Sequence, residues 1–278
     1  MGPVIAWHPI DTGAQARVWR IVGEHEVVLL KCHRSPGAWA RERDAYGWLI
    51  ALQGNVVPRL VGAVQRPIPA LLLSELPGES AASAHLDAHD RRIVHRRAGE
   101  IRARLDRVPC PADPLPLERA YARRFEHWHA HADGRVPAEP RRRAAALFDP
   151  SVFAGCQRVI CHRDFMPSNW LVEREPAGLR VRVVDLGQAR PDIAWLDLVK
   201  LREGPWQREP ELERSFLAGW GVEPNAEDRL RLDHLGLLHG LATASWAHAH
   251  RDAALFREGL QVLERRANEI EKGSRPVE

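Results

Sequence analysis

One stretch, residues 159–187, constrains this chain more than any other, because it holds two aspartates that each follow a short β-branched apolar run. Asp164 comes after the run 159–160, and Asp185 comes directly after the run 183–184. Runs of this kind predict buried strands, and Pro176-Ala177-Gly178 between them predicts a turn. The expected local structure is a hairpin with a carboxylate at each mouth.

Asn169 adds an amide to the two carboxylates, because it lies five residues after Asp164. Transfer of a phosphoryl group from ATP needs one carboxylate to orient the attacking hydroxyl, and oxygen ligands to hold Mg²⁺ against the phosphates. The residues therefore predict a phosphoryl-transfer site, in which one carboxylate orients the hydroxyl and the other holds the metal together with Asn169. Two aspartates after apolar strands are otherwise more often turn residues, and the His, Asn and Gly residues at these spacings favour catalysis.

Two motifs in this stretch resemble a known family: His162-Arg163-Asp164 followed by Asn169, and Asp185-Leu186-Gly187. They resemble the catalytic loop and the metal-binding triplet of the protein-kinase-like fold. This resemblance implies Asp164 as the catalytic residue, with Asn169 and Asp185 as ligands of the metal. Within that fold the chain looks most like the aminoglycoside phosphotransferase family and its choline-kinase relatives, and Pro167 is similar to that family's loop. Two positions depart from the pattern: Arg163 stands where small-molecule kinases usually have glycine, and Leu186 replaces the usual aromatic residue.

The resemblance implies an α+β, protein-kinase-like fold with two lobes. The expected N-terminal lobe, residues 1–78, is small, mainly antiparallel β and nucleotide-binding. The expected C-terminal lobe, residues 79–278, is larger and mainly helical, and it carries catalysis and substrate binding. Apolar runs bounded by turn residues support the first lobe. They predict the strands 18–22, 27–32, 59–64 and 70–75.

Lys31 and Glu42 are expected to bind the nucleotide together. A lysine that ends an apolar strand either extends its charge to solvent or, as the resemblance implies, binds the α- and β-phosphates. Ser35-Pro36 predicts the start of a helix that runs to about Leu52. Glu42 falls on the apolar stripe of this helix, and a buried carboxylate needs a cationic partner. The resemblance implies Lys31 as that partner, and a neighbouring arginine at the helix rim is the alternative.

Three further residues are assigned to the nucleotide by position. Gly13 lies where a kinase has its phosphate-covering loop, although an ordinary turn would have the same sequence. Glu75 and Leu76 lie within 71–78, which resembles the hinge between the lobes. The backbone of such a hinge would bind the adenine edge.

From Ser80 onward the apolar spacing predicts helices. The expected segments are one ending before Pro109, then 117–128, 193–201, 211–219, 227–250 and 252–270. Five carboxylates in this half are available to pair with ammonium groups of a substrate: Glu126, Glu203, Glu213, Asp233 and Glu258.

The resemblance implies a small-molecule kinase that uses ATP or GTP with Mg²⁺. The expected activity is phosphorylation of a hydroxyl on a cationic antibiotic, an aminoglycoside or a basic peptide antibiotic, which would confer resistance by inactivation. A choline-like or other metabolite is the alternative acceptor. A protein kinase is disfavoured, because only about a dozen residues separate Asp185 from Asp197 and no Ala-Pro-Glu follows. An inactive binding module is disfavoured because every polar position that the chemistry needs is present.

Composition excludes several other classes. The hydrophobic content of 45% and the charged content of 28% are those of a soluble globular chain. No apolar run approaches the roughly 18 residues of a membrane helix, and the N-terminus lacks a signal-peptide pattern. The net charge of +3 gives no argument for nucleic acid, and the four cysteines without a CxxC pair predict reduced thiols. We expect a cytoplasmic monomer or weak homodimer without nucleic-acid or membrane partners.

Overall fold

The computed structural model of the chain describes residues 3–10 and 16–273, and these fall into two compact units. The first unit contains the described residues up to Cys110, together with Val159–Pro191 and Glu209–Val222. The second unit contains Pro111–Arg158, Asp192–Arg208 and the described residues from Glu223 onward. The 159–187 stretch that dominates the sequence therefore lies in the first unit.

A five-stranded antiparallel sheet begins the first unit, in the order β1-β2-β3-β5-β4. Its strands are β1 (Val4–Ile10), β2 (Ala16–Gly23), β3 (Val27–His33), β4 (Leu60–Val64) and β5 (Ala70–Ser74). The four predicted strands are present, with ends that differ by one or two residues. Strand β1 was not predicted, because this edge strand contains Pro9 and its side chains are exposed on both faces, so it has no alternating pattern.

Helices make up most of the remaining chain. Their bounds are α1 (Pro36–Trp48), α2 (Ala88–Leu105), α3 (Leu117–His131), α4 (Ala138–Leu147), α5 (Val199–Glu203), α6 (Pro205–Arg208), α7 (Pro210–Trp220), α8 (Ala226–Ala249) and α9 (Ala253–Gly273). Helix α4 was not predicted, because its sequence has three consecutive arginines and few large apolar side chains. No helix in residues 3–10 and 16–273 has both the length and the apolar composition to cross a membrane.

Helix α1 begins as predicted and ends earlier than expected. The Ser35 hydroxyl accepts a hydrogen bond from the Ala38 amide at 3.2 Å, which caps the helix. The helix stops at Trp48, and a 3-10 turn, Ile50–Leu52, continues the chain. Glu42 lies on the buried face of α1, as its place on the apolar stripe predicted.

The predicted hairpin of residues 159–184 is wrong in one of its two strands. Strand β7 (Val159–Cys161) pairs with β10 (Arg190–Asp192), whereas the hairpin joins β8 (Trp170–Glu175) to β9 (Gly178–Val183) through the predicted turn. The short strand β6 (Glu79–Ser80) pairs with the other edge of β8. The error arose because two apolar runs mark strands but do not specify which strands pair.

Helices α2 and α7 cross closely at two glycines. A Cβ atom built on Gly99 would lie 2.0 Å from the backbone oxygen of Phe216, and one built on Gly219 would lie 1.9 Å from that of Arg96. Nearby, Asp106 accepts hydrogen bonds from Trp220 Nε1 at 2.6 Å and from Arg102 at 2.7 Å. The backbones of the two helices are therefore in close contact at this crossing, and no side chain fits at either glycine.

We expect Gly99→Ala to destabilise the protein by about 1–3 kcal/mol, because its methyl group would force α2 away from α7. The matched control is Gly47→Ala, also within a helix, where nothing lies within 4 Å of an added Cβ. That change should be neutral or stabilising, because alanine favours a helix over glycine by up to about 1 kcal/mol. Urea unfolding of the two variants would test this, and equal midpoints would contradict it.

The second unit is organised around the packing of α8 on α9. Leu237, Leu241 and Ala244 of α8 are buried with Leu263 and Ala267 of α9 in one hydrophobic core. Helix α8 begins with a capping box, in which the side chains of Asn225 and Asp228 bond reciprocally to the backbone amides. No disulfide joins the four cysteines, all of which the structure describes.

Candidate active site

Lys31 connects three elements of the first unit. Its Nζ lies 2.9 Å from Glu42 Oε1 and 2.8 Å from Asp185 Oδ1. Lys31 belongs to β3 and Glu42 to α1, while Asp185 follows β9. The predicted Lys31–Glu42 ion pair is present, and the alternative of a rim arginine is not needed. The contact with Asp185 joins residues that are 154 positions apart, and the sequence did not predict it.

The charges in this group support one another. Burial alone would lower the pKa of Lys31, but the charges of Glu42 and Asp185 outweigh it, so the pKa is raised. Burial alone would raise the pKa of Asp185, but the charge and hydrogen bond of Lys31 outweigh it, so the pKa is lowered. Both groups are therefore charged at neutral pH. The Asp185 side chain remains 53% exposed, which leaves it accessible to a ligand.

Asn169 holds Asp164 through its amide nitrogen. Asn169 Nδ2 donates to the Asp164 backbone oxygen at 2.8 Å and to Asp164 Oδ2 at 3.0 Å. The amide oxygen takes no part in these bonds and is the atom able to meet a cation. A 3-10 turn, Pro167–Asn169, brings the two residues together across the loop.

His162 links the loop of Asp164 to the strand that leads to Asp185. Its Nδ1 accepts from the Asp164 backbone amide at 3.3 Å, which assigns the proton to Nε2. Nε2 then donates to the Val184 carbonyl at 2.9 Å. The side chain is buried, with 2% exposed. The histidine therefore positions the backbone on both sides of the two aspartates.

Two residues of the motifs adopt the left-handed backbone region. Arg163 has φ of 64° and Asp185 has φ of 63°. Side chains other than glycine enter this region at a cost, and such strain is typical of functional sites. This conformation explains why small-molecule kinases of the family that the chain resembles usually have glycine at the position of Arg163. A strained backbone of this kind persists only where surrounding contacts hold it in place.

The strand before the loop is anchored by a fully buried arginine. The Arg102 side chain is 0% exposed, and its guanidinium donates to the Ile160 carbonyl at 2.9 Å. The same guanidinium nitrogen bonds Asp106 at 2.7 Å. Arg102 was not recognised in the sequence, because helical spacing alone does not distinguish a buried arginine from an exposed one.

One cleft of the first unit, with a volume of about 380 Å³, brings the predicted polar residues together. Lys31, Glu42, Asp164 and Asp185 all line it. Its apolar walls come from the sheet and include Val18, Leu29 and Leu73. A cleft with apolar walls and a few convergent charges is typical of a small-molecule site.

Two predicted nucleotide residues, Glu75 and Leu76, are not among the residues that line this cleft. A third, Gly13, lies outside the described residues. The Glu75 carboxylate is held by Arg20, through Nε at 2.6 Å and Nη2 at 2.9 Å, and so it points to the sheet. Leu76 is buried. The predicted role of the hinge rests on backbone groups, and it stays a prediction.

Two of the predicted site residues supply oxygen ligands for a metal ion, which is fewer than the ion needs. The Asp185 carboxylate and the Asn169 amide oxygen have the chemistry that Mg²⁺ prefers. Within the described ranges, no cluster of three or more His, Cys, Asp or Glu side chains could hold a metal. The two residues therefore fit a Mg²⁺ ion that takes its other ligands from phosphate and water, as is usual for nucleotide-bound magnesium.

Two of the five carboxylates expected to meet a cationic substrate are occupied by arginines of the second unit. Glu203 accepts from Arg266 Nε at 2.6 Å and from Arg265 Nη2 at 2.7 Å. Asp233 accepts from Arg202 at 2.8 Å and from Arg266 at 3.1 Å. The expectation that these two carboxylates are available is therefore wrong. Sequence could not show it, because the partners lie up to 63 residues away.

The fold and the cleft define a small-molecule phosphotransferase with a protein-kinase-like α+β fold, as predicted. The model of the phosphotransferase enzyme family APH matches residues 6–235. The chain belongs to this family. A search of curated proteins finds no match.

Solved structures with the same fold include three antibiotic phosphotransferases. A thermostable mutant of aminoglycoside phosphotransferase APH(4)-Ia, with ADP and hygromycin B, has a TM-score of 0.75 and 12% identity over 98% of this chain and 96% of that chain. The GDP and kanamycin complex of APH(2")-IIia has a TM-score of 0.73 and 14% identity over 98% and 95%. Macrolide 2'-phosphotransferase MphH from Brachybacterium faecium has a TM-score of 0.64 and 19% identity over 98% and 92%. At these identities the likeness shows the fold alone.

Proposed function

We propose that this protein transfers the γ-phosphoryl group of ATP or GTP to a hydroxyl of an antibiotic and so inactivates it. The observation that carries the proposal is the convergence of Lys31, Glu42, Asp164 and Asp185 on one cleft. Membership of the phosphotransferase family supports the reaction class. The nucleotide and antibiotic complexes of proteins with the same fold support the two substrates.

Each residue has a role that follows from its contacts. Asp164, whose carboxylate is oriented by Asn169, accepts the proton of the attacking hydroxyl. The hydroxyl oxygen forms a bond to the γ-phosphorus, the bond from that phosphorus to the bridging oxygen breaks, and the diphosphate leaves. Lys31, which Glu42 holds at 2.8–2.9 Å, places a positive charge for the α- and β-phosphates.

Asp185 and Asn169 are the residues that would hold Mg²⁺ in this reaction. When bound, the metal neutralises charge on the phosphate oxygens. Asp185 is kept ionised by Lys31, so it offers an anionic oxygen at neutral pH. Lys31 also fixes one carboxylate oxygen of Asp185, and this contact restricts the directions in which the other oxygen can point.

The acceptor is proposed to be a small cationic molecule with a free hydroxyl. Glu203 and Asp233 cannot supply its carboxylate partners, because arginines already bind them. The described part of the chain shows no ion pair for Glu126, Glu213 or Glu258, so these remain the candidates. A site with fewer available acids favours an antibiotic with few positive charges over a highly charged one.

A transfer assay would test this function. ATP and GTP would each be offered with kanamycin, hygromycin B, a macrolide, a basic peptide antibiotic, choline, a neutral sugar and a generic protein. We expect phosphorylation of at least one antibiotic, and a rate lower by about 10²–10⁴ in the Asp164→Asn variant. Transfer only to choline would favour the metabolite kinase, and transfer only to the protein would overturn the proposal.

Lys31→Ala should raise the apparent KM for the nucleotide, lower kcat, or both, by about tenfold or more, because Lys31 carries the charge for the phosphates and pairs with Glu42. Steady-state kinetics with the accepted substrate would measure this. Lys272→Ala is the matched control, since Lys272 is a largely exposed lysine that pairs with Glu269 on the same helix. Wild-type kinetics in Lys31→Ala would show that Lys31 does not bind the nucleotide phosphates.

A further inference from the structure

Lys31 is not the only side chain of β3 that reaches the carboxylate of Glu42. Successive side chains of a strand point to opposite faces, so His33 projects to the same face as Lys31. His33 Nε2 lies 3.4 Å from Glu42 Oε2, while Lys31 Nζ contacts both oxygens, with 2.8 Å to Oε2 and 2.9 Å to Oε1. The sequence analysis did not predict this contact, because strand spacing shows the face that His33 occupies but not the carboxylate it meets.

The side chains around this contact are largely buried, although His33, Glu42 and Tyr46 line the cleft. The Glu42 residue is 0% exposed, Tyr46 is 0% exposed and His33 is 6% exposed. Tyr46 follows Glu42 by one helical turn, which places both on the same face of α1. A carboxylate buried to this degree is costly unless donors surround it, and burial does raise the pKa of Glu42 against the effect of Lys31.

His33 meets Glu42 as a neutral donor. Burial, and then the charge of Lys31, lowers the pKa of His33 to about 4, so the imidazole is uncharged at neutral pH. A neutral imidazole has one N–H, and the carboxylate oxygen facing Nε2 favours the proton on that nitrogen. At 3.4 Å the present contact is long. A small inward movement of the ring would complete a hydrogen bond, and no other bond of Nε2 opposes it within the described part of the chain.

A neutral donor suits this position better than a second cation. A positive charge on His33 would compete with Lys31 for Glu42, which would lengthen the Lys31 contact. A neutral N–H instead supports one carboxylate oxygen and leaves Lys31 as the charged partner. Burial, and then the charges of Glu42 and Asp185, raises the pKa of Tyr46, so its hydroxyl also stays neutral.

We propose that His33 is a positioning residue, which holds the Glu42 carboxylate from β3 so that Lys31 is aimed at the nucleotide phosphates. The inference rests on the proposed function, because it assigns Lys31 to the phosphates. His33 touches neither substrate nor reacting atoms in this scheme. Its effect passes through Glu42 to Lys31 and therefore appears in nucleotide affinity.

Two polar substitutions separate this role from general packing. His33→Gln can place an amide donor near the position of Nε2, whereas His33→Asn places it near Nδ1, out of reach of Glu42. We expect His33→Gln to bind ATP within about threefold of the wild type and His33→Asn to bind about tenfold more weakly, since the latter cannot offer an N–H to the charged carboxylate. Calorimetric titration with ATP would measure both, with thermal unfolding as the check on stability.

Equal ATP affinity in the two variants, whether high or low, would overturn the role of His33. A wild-type protein that binds neither ATP nor GTP would overturn the proposed function itself, so the two failures are distinguishable. ¹⁵N NMR of the wild-type chain at pH 7 supplies a test without substitution. It should show His33 neutral and protonated at Nε2, and the Nδ1–H tautomer or an imidazolium would overturn the proposal.

Discussion

Asp164→Asn should lower kcat by about 10²–10⁴ while nucleotide affinity stays unchanged, because the substitution removes the group that accepts the hydroxyl proton. The expected selectivity follows from the contacts. Asn169 Nδ2 donates to the Asp164 backbone oxygen at 2.8 Å and to the Asp164 carboxylate at 3.0 Å. The substitution leaves the bond to the backbone oxygen intact, and the side-chain oxygen of the new asparagine can accept the other bond. The variant should therefore fold and bind ATP, yet transfer almost nothing.

The measurement is steady-state transfer to the accepted antibiotic, with ATP affinity determined separately. Asp133→Asn is the matched control, because the Asp133 side chain is 70% exposed and pairs with Arg141 in the second unit. It should retain wild-type kinetics. A fall in kcat of less than about tenfold in Asp164→Asn would show that Asp164 is not the base.

Asp185→Asn should abolish the gain in nucleotide affinity that Mg²⁺ provides and lower kcat by about 10²–10³. Asparagine tolerates the left-handed backbone that Asp185 adopts, with φ of 63°, so the substitution changes charge more than conformation. The variant removes an anionic oxygen beside Lys31 as well as a metal ligand. Lys31 then keeps Glu42 as its only charged partner in this group.

Calorimetric titration of ATP with and without Mg²⁺ would separate these effects. In the wild type and in Asp164→Asn, added Mg²⁺ should strengthen binding. In Asp185→Asn it should have little effect. An unchanged dependence on Mg²⁺ would remove Asp185 from the metal site, and a crystal with nucleotide whose metal lies far from Asn169 and Asp185 would do the same.

The arginine partners of Glu203 and Asp233 reduce the number of carboxylates that can bind a cationic acceptor. Glu203 is bound by two arginines, with both carboxylate oxygens engaged, so an ammonium group of a substrate would have to displace a buried, charge-assisted bond. The cationic acceptor predicted from the sequence therefore has fewer carboxylates available than the sequence indicated. Macrolides and neutral sugars, which need fewer carboxylate partners, are therefore acceptors to compare with the aminoglycosides in the transfer assay.

The sequence by itself predicted the residues that the proposed chemistry uses. Phosphoryl transfer needs particular residue types, and the spacing of these residues along the chain resembles that of a known family. This made four residues recognisable: His162, Asp164, Asn169 and Asp185. The burial of Glu42 was predictable, since helix periodicity shows which face it occupies, and the family resemblance implied Lys31 as its partner. These features depend on local geometry, which a linear pattern records directly.

Only the tertiary structure decided which distant groups meet. It paired β7 with β10 and excluded β7 from the hairpin, joined Lys31 to Asp185 across 154 residues, and placed His33 against Glu42. It also enclosed Glu203 with arginines. Strand pairing and the neutralisation of buried charges depend on packing between segments far apart in the chain, and hydrophobic periodicity contains no information about the partner that a strand or a carboxylate will find.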